Sequence, residues 1–175
     1  MRARKELRSV ANWISFSRLV LAAAFATFDA TETRVLLVGL AAVTDFLDGY
    51  MARRSNSTTR WGALLDPFAD RVFVLVAISA LLFEGRTNTF GYFVMIFRDL
   101  MTAIGFLVAR LVRWLRPVEF KARWPGKVVT VLQLATFFAI LVRPSWAPPL
   151  LLVVAIASVG AVADYTLALW RARVA

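Results

Sequence analysis

Apolar residues run through most of the chain in long stretches, and charged residues gather in the short segments between them. The stretches lie at 12–29, 35–54, 61–83, 89–111, 126–142 and 147–170. A helix that crosses a hydrocarbon layer of about 30 Å needs roughly 20 predominantly apolar residues, and each stretch comes close to that length. Backbone groups inside a bilayer must bond within their own element, so such stretches are expected to be helical. The pattern predicts an all-α polytopic membrane protein with six transmembrane helices, forming a single domain over 1–175. The first eleven residues, with Arg2, Arg4, Lys5 and Arg8, are expected to form an amphipathic segment lying on anionic membrane lipids.

The charges between the stretches alternate in character. Arg53, Arg54 and Arg60 sit at the second connection, Arg110, Arg113, Arg116, Lys121, Arg123 and Lys127 crowd the fourth, and Arg171 and Arg173 close the chain. The other connections hold Asp29, Glu32 and Arg34, then Glu84 and Arg86, then Arg143. Because Lys and Arg concentrate on the cytoplasmic side of membrane proteins, both termini are expected in the cytoplasm. Trp13, Trp61, Trp114, Trp124, Trp146 and Trp170 fall at or near the ends of the stretches, where interfacial aromatic belts lie. A secretory signal is the other reading of residues 1–28; Asn12, Ser15, Ser17 and Arg18 interrupt its apolar part, and no convincing small-residue cleavage site follows.

Composition narrows the chemistry. The hydrophobic content of 60% and mean hydropathy of +0.68 exceed those of an ordinary soluble domain. The net charge of +10 forms neither a stripe nor a tail, which favours a membrane surface over nucleic acid. The chain has no Cys and no His. A bound metal ion must then be held by oxygen, and a general base must be a carboxylate, Lys or Tyr.

Carboxylates of this kind sit inside the apolar stretches. Asp45 and Asp48 are three residues apart at the end of the second stretch, and Asp66 and Asp70 are four apart at the start of the third. Each pair therefore shares one helical face. An ionised Asp at the centre of a spanning helix costs about 2.5 to 3.5 kcal/mol on insertion scales, so four of them require compensation. The short connection from Arg54 to Trp61 makes the two helices antiparallel neighbours and gathers the four carboxylates near the cytoplasmic side. A hard divalent cation suits such a cluster, and Mg²⁺ characteristically bridges carboxylates to phosphates. Ion pairs with Arg53, Arg60 or Arg71 are the simpler explanation for a single Asp; they account less well for four at helical spacing, interleaved with Gly49, Ala52 and Gly62. A cation transporter or channel, from a different functional class, would spread acids along a path, and beyond the connections only Asp99 and Asp164 stand apart from the cluster.

The segment Asp45-Phe-Leu-Asp48-Gly49-Tyr-Met-Ala52-Arg53, followed after eight residues by Gly62-Ala-Leu-Leu-Asp66-Pro-Phe-Ala-Asp70, resembles the CDP-alcohol phosphotransferase family at every fixed position of its pattern D-x2-D-G-x2-A-R-x8-G-x3-D-x3-D. The resemblance implies a phosphatidyl transfer from a CDP-linked lipid with release of CMP. By position it implies that Asp45, Asp48, Asp66 and Asp70 bind Mg²⁺ or Mn²⁺, as two ions, and that Asp70 is also the catalytic base for the acceptor hydroxyl. Gly49, Ala52, Arg53 and Gly62 would contact the CDP moiety. The resemblance further implies a homodimer and points to the bacterial inner membrane, with the site on its cytoplasmic side.

Shorter stretches bear on the acceptor. Asn12-Trp-Ile-Ser15-Phe-Ser-Arg18 and Gly126-Lys127-Val-Val-Thr130-Val-Leu-Gln133 resemble segments of the branch that joins CDP-diacylglycerol to glycerol 3-phosphate, with Ala11 and Val129 departing from its pattern. Arg98-Asp99 and Lys127-Val-Val-Thr130-Val-Leu-Gln133 also resemble cardiolipin synthases of the same fold, whose acceptor is phosphatidylglycerol. Inositol phosphate, serine, choline or ethanolamine acceptors stay open beside these two glycerol-bearing molecules. A small dianion such as glycerol 3-phosphate calls for Arg or Lys, and Lys127, Arg98, Arg110 and Arg123 are the acceptor candidates. For the basic residues 110–123 the competing role is contact with lipid headgroups.

Overall fold

The computed structural model describes residues 16–55, 62–111 and 124–174. Among them six α helices follow one another and no strand occurs: α1 over Phe16–Thr27, α2 over Thr31–Ser55, α3 over Gly62–Phe83, α4 over Thr89–Leu111, α5 over Trp124–Val142 and α6 over Ala147–Val174. A single 3-10 turn, Pro144–Trp146, separates α5 from α6. The expected helices thus appear in order, with ends within a few residues of the apolar stretches. The expected amphipathic segment at 1–11 lies outside the described residues.

Two helical segments among the described residues, Trp124–Val142 and Pro144–Leu167, are long and apolar enough to cross a membrane. Phe16–Thr27 and Arg71–Phe83 are shorter apolar helices. Helices α2 and α4 are long but interrupted by charge, with Arg34, Asp45 and Asp48 in the one and Arg98, Asp99 and Arg110 in the other.

The chain divides into two compact units, Met1–Arg86 and Thr87–Ala175. In the first, Ala22 and Phe25 of α1, Leu37, Val38 and Ala41 of α2, and Phe73, Ala77, Ile78 and Leu81 of α3 form the buried core. Their spacings of three and four residues define one apolar face per helix. Phe25 meets Phe73 edge to face, with ring centroids 6.1 Å apart. Helix α3 ends in a Schellman turn: Gly85, at a φ of 70°, donates to the Leu82 carbonyl at 3.0 Å, and Arg86 N–H reaches the Leu81 carbonyl at 2.9 Å. Glycine meets this left-handed backbone position without the Cβ penalty of other residues.

Arg34, in the first turn of α2, is fully buried and ties the helix ends of this unit together. Its Nε donates to the carbonyl of Phe28 at 2.6 Å and to that of Phe25 at 3.3 Å, capping the end of α1. Its Nη1 and Nη2 donate to the two carboxylate oxygens of Glu84, just beyond α3. Asp29 accepts a further bond at 3.2 Å, and the guanidinium lies over the Phe25 ring, 5.0 Å from its centroid. The hydrogen bonds from Arg34 hold the Glu84 carboxyl below the usual carboxylate range, against the upward push of burial, and Glu84 in turn raises the Arg34 pKa. Arg86 completes the cluster at 3.4 Å from Glu84 and donates to the Thr31 hydroxyl at 3.3 Å.

In the second unit, α6 packs against both α4 and α5. Asn88 caps α4, its side-chain oxygen accepting from Gly91 N–H at 2.8 Å. Pro148 and Pro149 fall in the first turn of α6, where a missing N–H leaves no helical bond unmade. Val94, Met95, Val129, Phe137, Ile140, Leu151, Val154 and Ala161 are buried. Many large apolar side chains of both units point outward instead; Leu36, Phe46, Phe93, Val131 and Ile156 are all more than half exposed.

Candidate active site

The aspartate pattern falls on helices at both ends. Asp45 and Asp48 belong to the C-terminal half of α2, and Asp66 and Asp70 to the first turns of α3, so the spacings of three and four do place each pair on one face. The side chains of Asp48, Asp66 and Asp70, like those of Ala52 and Arg53 and the surroundings of Gly49 and Gly62, lie outside the described residues.

Asp45 is the described member of the set. Its side chain is 49% exposed, and its Oδ1 lies 3.6 Å from Nη2 of Arg18 on α1. Arg18 is 2% exposed. A buried guanidinium beside a half-open carboxylate restricts the carboxylate's rotation and offsets part of its charge. Asp45 thus meets the requirement set by a chain without His or Cys: a hard oxygen donor, half exposed and set beside a buried guanidinium. Among the described residues no three acidic side chains approach closely enough to hold a metal.

The short segments around Arg98 and Gln133 meet in the second unit. Arg98 Nη2 on α4 donates to the Thr130 hydroxyl at 2.8 Å and to Gln133 Oε1 at 3.0 Å, both on α5. Gln133 Nε2 donates to the Met95 carbonyl at 2.6 Å and to Asp99 Oδ2 at 3.1 Å. Arg98 Nε also lies 3.3 Å from Asp99 Oδ1. The amide of Gln133 therefore bridges the Arg98–Asp99 ion pair, and Arg98 and Asp99 keep only 15% of their side-chain surface. Such a network, spanning α4 and α5, favours one register of the two helices.

Lys127 is exposed one turn before Thr130 on α5, so its ammonium is open to an anionic ligand. Gly126 beside it is buried, and a Cβ there would stand 2.8 Å from the Tyr165 hydroxyl of α6. Arg110 lies on α4 with its side chain outside the described residues, and Arg123 lies outside them altogether.

Three relationships were not evident from sequence motifs alone. Arg18 reads there as part of an acceptor-linked segment, and the structure adds its contact with Asp45. Its signal was present: Arg18, Ala22 and Phe25 share the buried face of α1, an unusual place for an unpaired charge. Thr130 and Gln133 become partners of Arg98, and Arg34 changes from a connection residue into a buried clamp.

Comparison with known proteins agrees with the motif. The sequence model described as CDP-alcohol phosphatidyltransferase matches residues 8–170. A protein of Aquifex aeolicus called CDP-diacylglycerol--glycerol-3-phosphate 3-phosphatidyltransferase is 38% identical over 109 residues, 58% of this chain and 61% of that protein. One of the same name from Pectobacterium atrosepticum is 37% identical over 115 residues, 62% of this chain and 60% of that protein. Another from Yersinia pestis is 29% identical over 146 residues, 78% of each. The match spans about three-fifths of the length of the first two relatives.

Proposed function

The chain belongs to the CDP-alcohol phosphatidyltransferase family, and from that membership we propose that it transfers a phosphatidyl group from CDP-diacylglycerol to glycerol 3-phosphate, releasing CMP. The observation that carries the reading is the complete pattern from Asp45 to Asp70, set on two successive helices. The names of the relatives favour glycerol 3-phosphate over the phosphatidylglycerol that Arg98-Asp99 also fits.

In the proposed reaction the acceptor hydroxyl oxygen attacks the β-phosphorus, the bond from that phosphorus to the bridging oxygen breaks, and CMP departs with the bridging oxygen. Asp70 takes the hydroxyl proton. Asp45, Asp48, Asp66 and Asp70 would hold Mg²⁺ or Mn²⁺, for which the all-oxygen donor set and the half-open Asp45 carboxylate are suited. When bound, the ions neutralise charge on the pyrophosphate and on the leaving CMP. Arg18 keeps Asp45 oriented. Gly49 and Gly62 present bare backbone, which with Ala52 and Arg53 would accommodate the CDP moiety. Lys127 is the foremost ligand for the acceptor phosphate because it is exposed; Arg98, committed to Thr130, Gln133 and Asp99, shapes α5 around it, and Arg110 and Arg123 supply further positive charge.

Six membrane-spanning helices, with both termini and the aspartates on the cytoplasmic side of a bacterial inner membrane, accommodate the charge distribution and the outward-facing Leu36, Phe93 and Ile156. The family match crosses the boundary between the two units, in keeping with one catalytic domain, and a homodimer is the proposed assembly.

Purified protein given CDP-diacylglycerol, Mg²⁺ and, in separate reactions, glycerol 3-phosphate, phosphatidylglycerol or inositol phosphate tests the proposal by CMP release. Turnover is expected with glycerol 3-phosphate. Turnover with phosphatidylglycerol alone would make the protein a cardiolipin synthase, and no CMP with any acceptor would remove the enzymatic reading.

A further inference from the structure

Arg34 stands far from the aspartates along the sequence of α2, yet it shares their face. Asp45 follows Arg34 by eleven residues, three turns of an α-helix and about 16 Å of axial rise. On α1, Phe25 follows Arg18 by seven residues, two turns, and both are buried. The seam between α1 and α2 is therefore held at two points. At one end Arg18 meets Asp45 at 3.6 Å; at the other Arg34 grips the carbonyls of Phe25 and Phe28 and lies over the Phe25 ring.

The same guanidinium reaches the second aspartate-bearing helix. Glu84, just past α3, accepts both terminal nitrogens of Arg34. Phe25, covered by Arg34 on one side, packs edge-on against Phe73, one turn beyond Asp70 in α3. One side chain thus links α1, α2 and α3. A buried Arg is costly unless every donor is used, and here Nε, Nη1 and Nη2 all are.

We infer that Arg34 is a positioning residue of the metal site: through Phe25 and Glu84 it sets the register of α1 and α3 on α2, and with it the placement of Arg18 against Asp45 and of the four aspartates around a divalent cation. This inference rests on the proposed role of the aspartates in metal binding. A cation site is sensitive to such placement, since loss of outer supporting partners of metal ligands typically weakens affinity about 10- to 100-fold.

The test is Mn²⁺ binding to the detergent-purified full chain, followed by electron paramagnetic resonance without substrate, in wild type, Arg34→Met, Arg34→Lys, Glu84→Gln and Asp45→Asn. Thermal unfolding and size-exclusion profiles establish which variants fold. Arg34→Met is expected to raise the Mn²⁺ dissociation constant about 10-fold or more. Arg34→Lys, which keeps the charge but not the forked donors, should recover part of that loss, and Glu84→Gln should show a smaller one. If Arg34→Met does not fold, the Lys and Gln variants decide. Folded Arg34 or Glu84 variants that bind Mn²⁺ like wild type, while Asp45→Asn does not, would overturn the inference and leave the metal site standing. Unchanged binding in Asp45→Asn would remove the metal site itself.

Discussion

Gln133 on α5 and Arg98 on α4 are joined by a 3.0 Å hydrogen bond that leaves the other half of the Gln133 amide to reach Asp99 and the Met95 carbonyl. One neutral side chain thereby satisfies a cation, an anion and a backbone oxygen in a nearly closed interior; Gln133 is 3% exposed. Replacing it with Leu keeps the volume but deprives these groups of a partner, each at about 1–3 kcal/mol. Gln133→Leu is expected to lower the midpoint of thermal unfolding in mild detergent by several degrees.

Asp70→Asn should abolish CMP release, with at least about a 100-fold loss of turnover, because an amide cannot accept the acceptor proton. Its unfolding midpoint should stay close to that of wild type. Activity at the wild-type level would take Asp70 out of the chemistry.

Chelation of divalent ions should stop turnover, and Mg²⁺ or Mn²⁺ should restore it. With no His and no Cys in the chain, the carboxylate oxygens favour hard cations over soft ones in that rescue. Full activity in excess chelator would exclude a metal-dependent route.

The Arg34–Glu84 pair carries a pH dependence of definite sign. Glu84 has a lowered pKa in the folded protein, so it binds fewer protons there than in the unfolded chain. Its stabilisation is complete above the ordinary carboxylate value of about 4.5, declines as the pH falls below it, and is lost once the pH passes the lowered folded value. The difference in unfolding midpoint between wild type and Glu84→Gln should therefore be largest at neutral pH and shrink under acid. A difference that grew on acidification would contradict the structure.

Gly126→Ala puts a methyl group 2.8 Å from the Tyr165 hydroxyl oxygen, inside any normal contact. The variant should be less stable by roughly 1–3 kcal/mol, the usual cost of overpacking. Tyr165→Phe removes that oxygen, so the double variant should recover much of the loss. Additive losses would show that the contact is not the cause.

The helices and the aspartate pattern were legible in the sequence for a physical reason: both are written in local spacing. Runs such as 147–170 announce a helix by apolar length, and Asp66 and Asp70 announce a shared face by their separation of four. Contacts across long separations carry no such mark. Nothing in the sequence around Arg34 indicates that its partner stands 50 residues on, because an arginine beside Asp29 and Glu32 looks like a solvated connection until Phe25 and Glu84 close over it. Arg98 stands in the sequence as a candidate for the acceptor phosphate; the structure adds its bonds to Thr130 and Gln133 and its ion pair with Asp99, which a lone Arg-Asp dipeptide does not disclose. The 3-10 turn at Pro144–Trp146 has no local signature either, since Pro144 signals a break without specifying the conformation that fills it.

The spacing between Arg34 and Glu84 imposes an order on biosynthesis. The carbonyls of Phe25 and Phe28 leave the ribosome before Arg34, but the Glu84 carboxylate follows it by 50 positions. At a synthesis rate of about 5–20 residues per second, that interval is roughly 3–10 s. During it the first two helices can form a hairpin whose arginine has Phe25, Phe28 and Asp29 but lacks its forked partner. The third helix then delivers the missing carboxylate and ends the wait, so a nascent chain whose Glu84 is still inside the ribosome should stay open to quality-control proteases while one with Arg86 clear of it should resist them.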